Sequence, residues 1–188
     1  MVDLVQKLKK VLTTFLISLA TFALLVAGTY AYNRIALTKP LEDKVTKIPA
    51  IGAFSYEKLN SAEKIVVEFT EPDKLRTSFY QLLNEIQEQT VASGDLIIEI
   101  NNIENNSLAS FFKEARLPIH EAISTGEFVA LPQQLDKMVS ERQVQYNLEV
   151  DSDFIFLSAI DGPNSAYLVI KCSDLPLTVI TTMGGEYL

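Results

Sequence analysis

Three hydrophobic rhythms follow one another along the chain. Val11 to Tyr32 is a run of twenty-two residues without charge or proline, preceded by Lys7, Lys9 and Lys10 and followed by Asn33 and Arg34. A helix rising 1.5 Å per residue carries such a run about 33 Å, against a bilayer hydrocarbon core of about 30 Å, so the length predicts a membrane span. Tyr30 and Tyr32 stand where interfacial aromatics are expected. From Ile35 to about Glu63 no period is sustained, and Pro40, Pro49 and Gly52 break the pattern, which predicts a tether with a short helical turn near Leu41 to Thr46.

Beyond the tether the rhythm alternates between strand and helix. Lys64 to Thr70 is a β-branched run that reads as a strand, and Thr70-Glu71-Pro72-Asp73 reads as a capped helix start. Leu75, Phe79, Leu82, Leu83 and Ile86 then recur with a period of 3.6 until Ser93-Gly94. Asp95 to Asn101 is apolar on both faces except at Glu99, which predicts a central strand and closes a β-α-β unit. Ser107 is placed to cap a helix carrying Leu108, Phe111, Phe112, Ala115, Ile119, Ala122 and Ile123, and Pro118 predicts a kink or a break near Leu117. After Gly126, Pro132 opens a further helix with Leu135, Met138 and Val139 inward. From Val144 the period drops to two. Turns at Asp151 to Asp153 and Asp161 to Asn164 divide an antiparallel meander, Leu177 to Thr182 adds a last strand, and Met183-Gly184-Gly185 reads as a loose end.

The expected fold class is therefore α+β: a single N-terminal transmembrane helix, a β-α-β unit, two or three helices, and a meander completing a mixed sheet covered by helices. The expected organisation is a basic tail at 1–10, a transmembrane signal anchor at 11–32, a tether at 33–63 and a globular domain at 64–188. A cleavable signal peptide is the competing reading of the first segment, but its apolar stretch exceeds the usual range of about 7 to 15 residues.

Charge sharpens this division. Residues 1–47 carry net +4 and residues 48–188 net −12, giving −8 for the chain. An acidic domain lacks the basic face that nucleic acid requires, so no nucleic-acid partner is expected. Lysines concentrated within a turn of the apolar run favour a cytoplasmic N-terminus with the domain on the far side of the membrane. Inside the run Ala20, Ala23, Ala27 and Ala31 recur at intervals of three and four with Gly28 beside them. Such a small-residue stripe lets membrane helices approach closely, and it is the expected helix-packing interface.

Catalytic chemistry finds little purchase. The seven glycines match no phosphate-binding loop, and G-x-S-x-G is absent. A single histidine, His120, lacks the second histidine of a zinc-protease motif and is expected on the outer face of its helix. The single cysteine, Cys172, excludes an internal disulfide and reads as a small strand hydrophobe. Asp151, Asp153 and Asp161 fall in turns, where their side chains bond nearby main chain. Asn105-Asn106-Ser107 matches the glycosylation triplet, with its serine expected as a helix cap. No cofactor or metal is expected.

The expectation is a non-catalytic, single-pass accessory or assembly subunit of a membrane protein complex, partnered by the membrane and by other integral membrane subunits, with self-association left open. Two alternatives remain at this point. One is a membrane-tethered carboxylate enzyme, for which Glu99 is the best single residue; the other is an extracytoplasmic ligand-binding or sensor domain, which would require an apolar pocket.

Overall fold

The computed structural model describes residues 2–33, 39–59, 62–89, 95–140 and 142–188. It divides into two compact units, Met1–Pro40 and Leu41–Leu188. Arg34 and the helix stop expected at Ser93-Gly94 lie outside the described residues.

The first unit is dominated by one helix, α1 (Val2–Asn33). Its window Leu12–Thr29 has a mean hydropathy of 1.9, and none of it is buried inside the protein. By length and composition this helix can cross a membrane. Two of its hydroxyls are satisfied locally: Thr21 Oγ1 donates to the Ile17 carbonyl and Thr29 Oγ1 to the Leu25 carbonyl, each at 2.9 Å. Bonding back to the preceding turn lets a threonine sit on an apolar helix without an orphaned donor.

The second unit is α+β, as expected, with its strands divided between two sheets. After α2 (Lys39–Val45) come β1 (Ile51–Lys58), β2 (Ala62–Phe69), a 3-10 turn at Pro72–Lys74, α3 (Leu75–Gln89) and β3 (Asp95–Asn102). Then follow α4 (Asn106–Thr125), α5 (Leu131–Val139), β4 (Val144–Val150), β5 (Phe154–Asp161), β6 (Asn164–Lys171), β7 (Leu177–Met183) and β8 (Glu186–Tyr187). One sheet has the order β1-β2-β3-β7-β8, with β2, β3 and β7 mutually parallel and the outer strands antiparallel. The other is the antiparallel meander β4-β5-β6.

The meander is the middle of the packing. Phe154 and Phe156 of β5, with Tyr167 and Val169 of β6, join one core cluster with α3 and the inner face of β2 and β3. The alternate residues Ile155, Leu157, Ala159, Ala166 and Leu168 join a second cluster with α4 and α5. Strands alternate their side chains between faces, so two neighbouring strands can serve two cores. Phe79 of α3 ties the first cluster together, meeting Phe154 and Phe156 edge-on at centroid distances of 5.1 and 5.6 Å.

Several local expectations are corrected. Residues 41–59, read as part of the tether, belong to the compact second unit and include β1. Phe54 and Tyr56 pack on the first core while β2 supplies the ladder, so pairing overrides a weak local signal. Thr70 does not cap α3: the cap position before the 3-10 turn is Glu71, which makes no side-chain cap bond. For α4 the cap is Asn105, whose side chain accepts from the Leu108 N–H at 3.0 Å, in place of Ser107. Pro118 does not divide α4, which runs unbroken to a left-handed cap at Gly126 (φ 75°). The apolar stripe Leu108, Phe111, Phe112, Ala115, Ile119 and Ala122 is buried on both sides of Pro118, and that burial outweighs the roughly 3 kcal/mol that an interior proline costs.

Finally, Met183-Gly184-Gly185 is no loose end. Gly184 (φ 59°) and Gly185 (φ 85°) form a two-residue hairpin turn that folds β8 onto β7. Positive φ at both positions is the type I′ geometry that suits the twist of paired strands, and glycine adopts it without strain.

Candidate functional site

The stripe on α1 is the first candidate. Ala20, Ala23, Ala27, Gly28 and Ala31 are all exposed on a helix whose larger residues, including Phe15, Leu16, Phe22 and Leu24, are exposed as well. A Cβ added at Gly28 would meet nothing within 4 Å, so that position is open to a close neighbour. This helix is long and apolar enough to cross a membrane, and in such helices small residues on one face permit near contact with another helix.

The second candidate is the face of the five-stranded sheet that points away from the core. Glu99 of β3 lies there, its side chain 14% exposed, with Lys64 Nζ of β2 at 2.7 Å. Thr182 Oγ1 of β7 donates to the same carboxylate at 3.3 Å. Next to it Asn101 Nδ2 donates to Glu68 Oε1 at 2.6 Å. These side chains meet because β2, β3 and β7 run in parallel register, placing Val66 beside Glu99 and Glu99 beside Ile180. The ladder keeps a parallel sheet wettable on a side where parallel strands are ordinarily covered. The Glu99 carboxylate is thus held between a lysine and a hydroxyl.

The third candidate is the corner at Asp151. Its Oδ1 accepts from the N–H groups of Asp153 and Phe154 at 2.9 Å each, the turn role expected of it. Its Oδ2 accepts from Arg76 Nε at 3.1 Å and the Tyr80 hydroxyl at 3.0 Å, both from α3. Burial alone disfavours the charged form, but these donors outweigh it and hold the Asp151 carboxyl below its ordinary value. Burial and the bond to Asp151 together push the Tyr80 phenol up to about 12. Such a corner fixes α3 to the meander.

The remaining residues stay apart. His120 is exposed on α4. Cys172 is half-buried against the second core, and burial raises its thiol above the ordinary value. Asp161 lies at the far end of β5 from Asp151 and Asp153. Asn105 of the glycosylation triplet uses its side chain as the α4 cap. Among the described residues no group of three or more His, Cys, Asp or Glu is placed to hold a metal ion. A groove of about 480 Å³ between α3 and the loop after β6 is lined by Tyr80, Leu83, Leu96, Phe154 and Leu175 and rimmed by Glu63 and Asp153.

One residue of consequence gave no signal in the sequence. Asn102, 4% exposed at the end of β3, donates through Nδ2 to the main-chain oxygens of Tyr167 (3.0 Å) and Thr182 (2.9 Å). Its Oδ1 accepts from the Tyr167 N–H at 2.7 Å. One side-chain amide thus takes the place of a neighbouring strand and joins the edge of the meander to the other sheet.

No family model, no curated protein and no solved structure matches the chain.

Proposed function

We propose that the protein is a single-pass, membrane-anchored accessory or assembly subunit of a membrane protein complex, acting by binding and not by catalysis. The observation that carries this reading is α1: an apolar helix whose window Leu12–Thr29 has no part buried in the protein, joined to a folded domain of opposite charge character. The helix anchors the chain in the bilayer with its N-terminus cytoplasmic, and the acidic domain docks on the soluble face of a partner. Ala20, Ala23, Ala27, Gly28 and Ala31 form the face on which a second membrane helix packs.

Glu99, the best residue of the carboxylate-enzyme alternative, is paired with Lys64 and accepts from Thr182, an arrangement that also serves a purely structural role. The test of the stripe is the double substitution Ala23→Leu and Ala27→Leu in the full chain. The expected outcome is that the variant still sediments with membranes after an alkaline wash but loses most of its co-purifying membrane proteins. Unchanged co-purification would remove the stripe from the account.

A further inference from the structure

Between β6 and β7 the two sheets part, leaving a cleft of about 500 Å³. The strands are neighbours through the short loop 172–176, yet β6 is the edge of one sheet and β7 pairs with β3 and, at its end, with β8. The direction of the main-chain groups on each wall follows from strand alternation. Tyr167 turns its N–H and C=O away from β5 toward Asn102, so Val169, two residues on, turns its own toward the cleft. Thr181 offers its carbonyl to the Leu188 N–H at 3.0 Å, so Val179, two residues back, likewise faces the cleft beyond the point where β8 stops. Among the described residues no strand pairs with β6 on that side, and β8 pairs only with Thr182 and Met183 of β7, which leaves Val179 outside its ladder. Thr181, 6% exposed, also lines the cleft and carries a buried hydroxyl with no hydrogen-bond partner among the described residues.

Buried main-chain donors and acceptors without partners are costly, and two strand edges facing one another present both kinds. The walls are apolar through Leu168, Ile170 and Ile180. The charged side chains on the cleft are Arg116 and Lys171, both cations in a region of net −12. Lys171 is held on the main-chain oxygens of Leu175 and Leu177, and Arg116 on an oxygen of Leu188, the last residue of the sequence.

We infer that this cleft is a strand-addition site, taking an extended segment of a partner protein that carries alternating apolar residues and an acidic side chain. The inserted strand hydrogen-bonds to Val179 on one wall and Val169 on the other, extending the ladder that β8 begins. Its carboxylate meets Arg116 or Lys171, which gives the site a preference for acidic peptides despite the acidity of the domain around it. The inference stands on the cleft alone and holds whether or not α1 has a helix partner.

The test uses the full chain in mild detergent micelles with amide hydrogen exchange read by NMR. Three acetylated pentapeptide amides serve as probes: Thr-Val-Glu-Val-Thr, the same peptide with lysine replacing glutamate, and the glutamate peptide with N-methylated valines. The glutamate peptide, at about ten times its Kd, is expected to slow exchange at Val169 and Val179 about tenfold. The lysine peptide is expected to bind roughly tenfold more weakly, and Arg116→Gln to narrow that difference. The N-methylated peptide, lacking the ladder donors, is expected to protect neither amide. Absence of protection at millimolar glutamate peptide, or equal protection by the N-methylated one, overturns the site. Protection present without peptide and rising with protein concentration would assign the cleft to a second copy of the chain and overturn the partner assignment. Either failure leaves co-purification through α1 untouched, so the two readings fail separately.

Discussion

At the scale of single residues, two polar side chains hold the domain together where its sheets and helices meet. Asn102 satisfies three main-chain groups at a buried junction. Replacing it with alanine orphans the Tyr167 N–H and carbonyl, and urea unfolding of the full chain in detergent is expected to show a loss of roughly 3 kcal/mol. Asp151 is a milder case with a pH signature. Its folded value lies below the ordinary one, so its contribution is complete above the unfolded value of about 3.9 and is lost as pH falls through the folded value. Asp151→Asn keeps the turn acceptor but loses the charge opposite Arg76, and it is expected to cost about 1 kcal/mol near neutral pH. The gap from the parent protein is expected to close as pH falls below about 4; a gap unchanged at pH 2 would contradict the assignment. Asp151 was legible as a turn residue because its chemistry is local. Asn102 was not, because its partners Tyr167 and Thr182 are far along the chain.

Among the elements, periodicity located what packing rewards and missed what pairing imposes. All five expected core positions of α3, from Leu75 to Ile86, are buried, and β3 is central as its two apolar faces implied. For β1 the alternation of Phe54 and Tyr56 with Ser55 and Glu57 was present but short, and prolines and a glycine nearby made the stretch read as a tether. The Gly184-Gly185 turn was visible as a pair of glycines, yet only a β8 of two residues follows it. In α4 the proline rule lost to burial on both sides of Pro118. The glycine rule held at the other end of α4: Gly126 sits at φ 75° with nothing within 4 Å of an added Cβ. Gly126→Ala therefore isolates the backbone cost, expected to be about 1 kcal/mol and a fall in Tm of about 3 °C. Gly126→Asn is expected to cost less, since asparagine tolerates the left-handed region. Equal melting of both variants and the parent would show that the cap contributes nothing.

For the molecule as a whole, the class was legible and the division of strands was not. A meander ending in Leu177 to Thr182 suggests that β7 continues beside β6, but β7 pairs in parallel with β3. Local alternation cannot distinguish these, because Val179 and Ile180 are apolar in succession and the choice is made by distant strands. The consequence is the cleft between β6 and β7, bridged at one end by Asn102 and at the other by the loop 172–176. The apolar helix was the most legible element, since a long uncharged run needs no distant partner to be recognised. It also carries the proposed function, in which the basic end of the chain is the membrane anchor and the acidic remainder the docking domain.

The most direct measurement is purification of the tagged full chain from its native membranes in mild detergent, with mass spectrometry of whatever remains bound at near-stoichiometric ratio. The account expects the chain in the membrane fraction with a defined set of integral membrane proteins. Recovery of the chain in the soluble fraction, or from membranes without any partner, would contradict it.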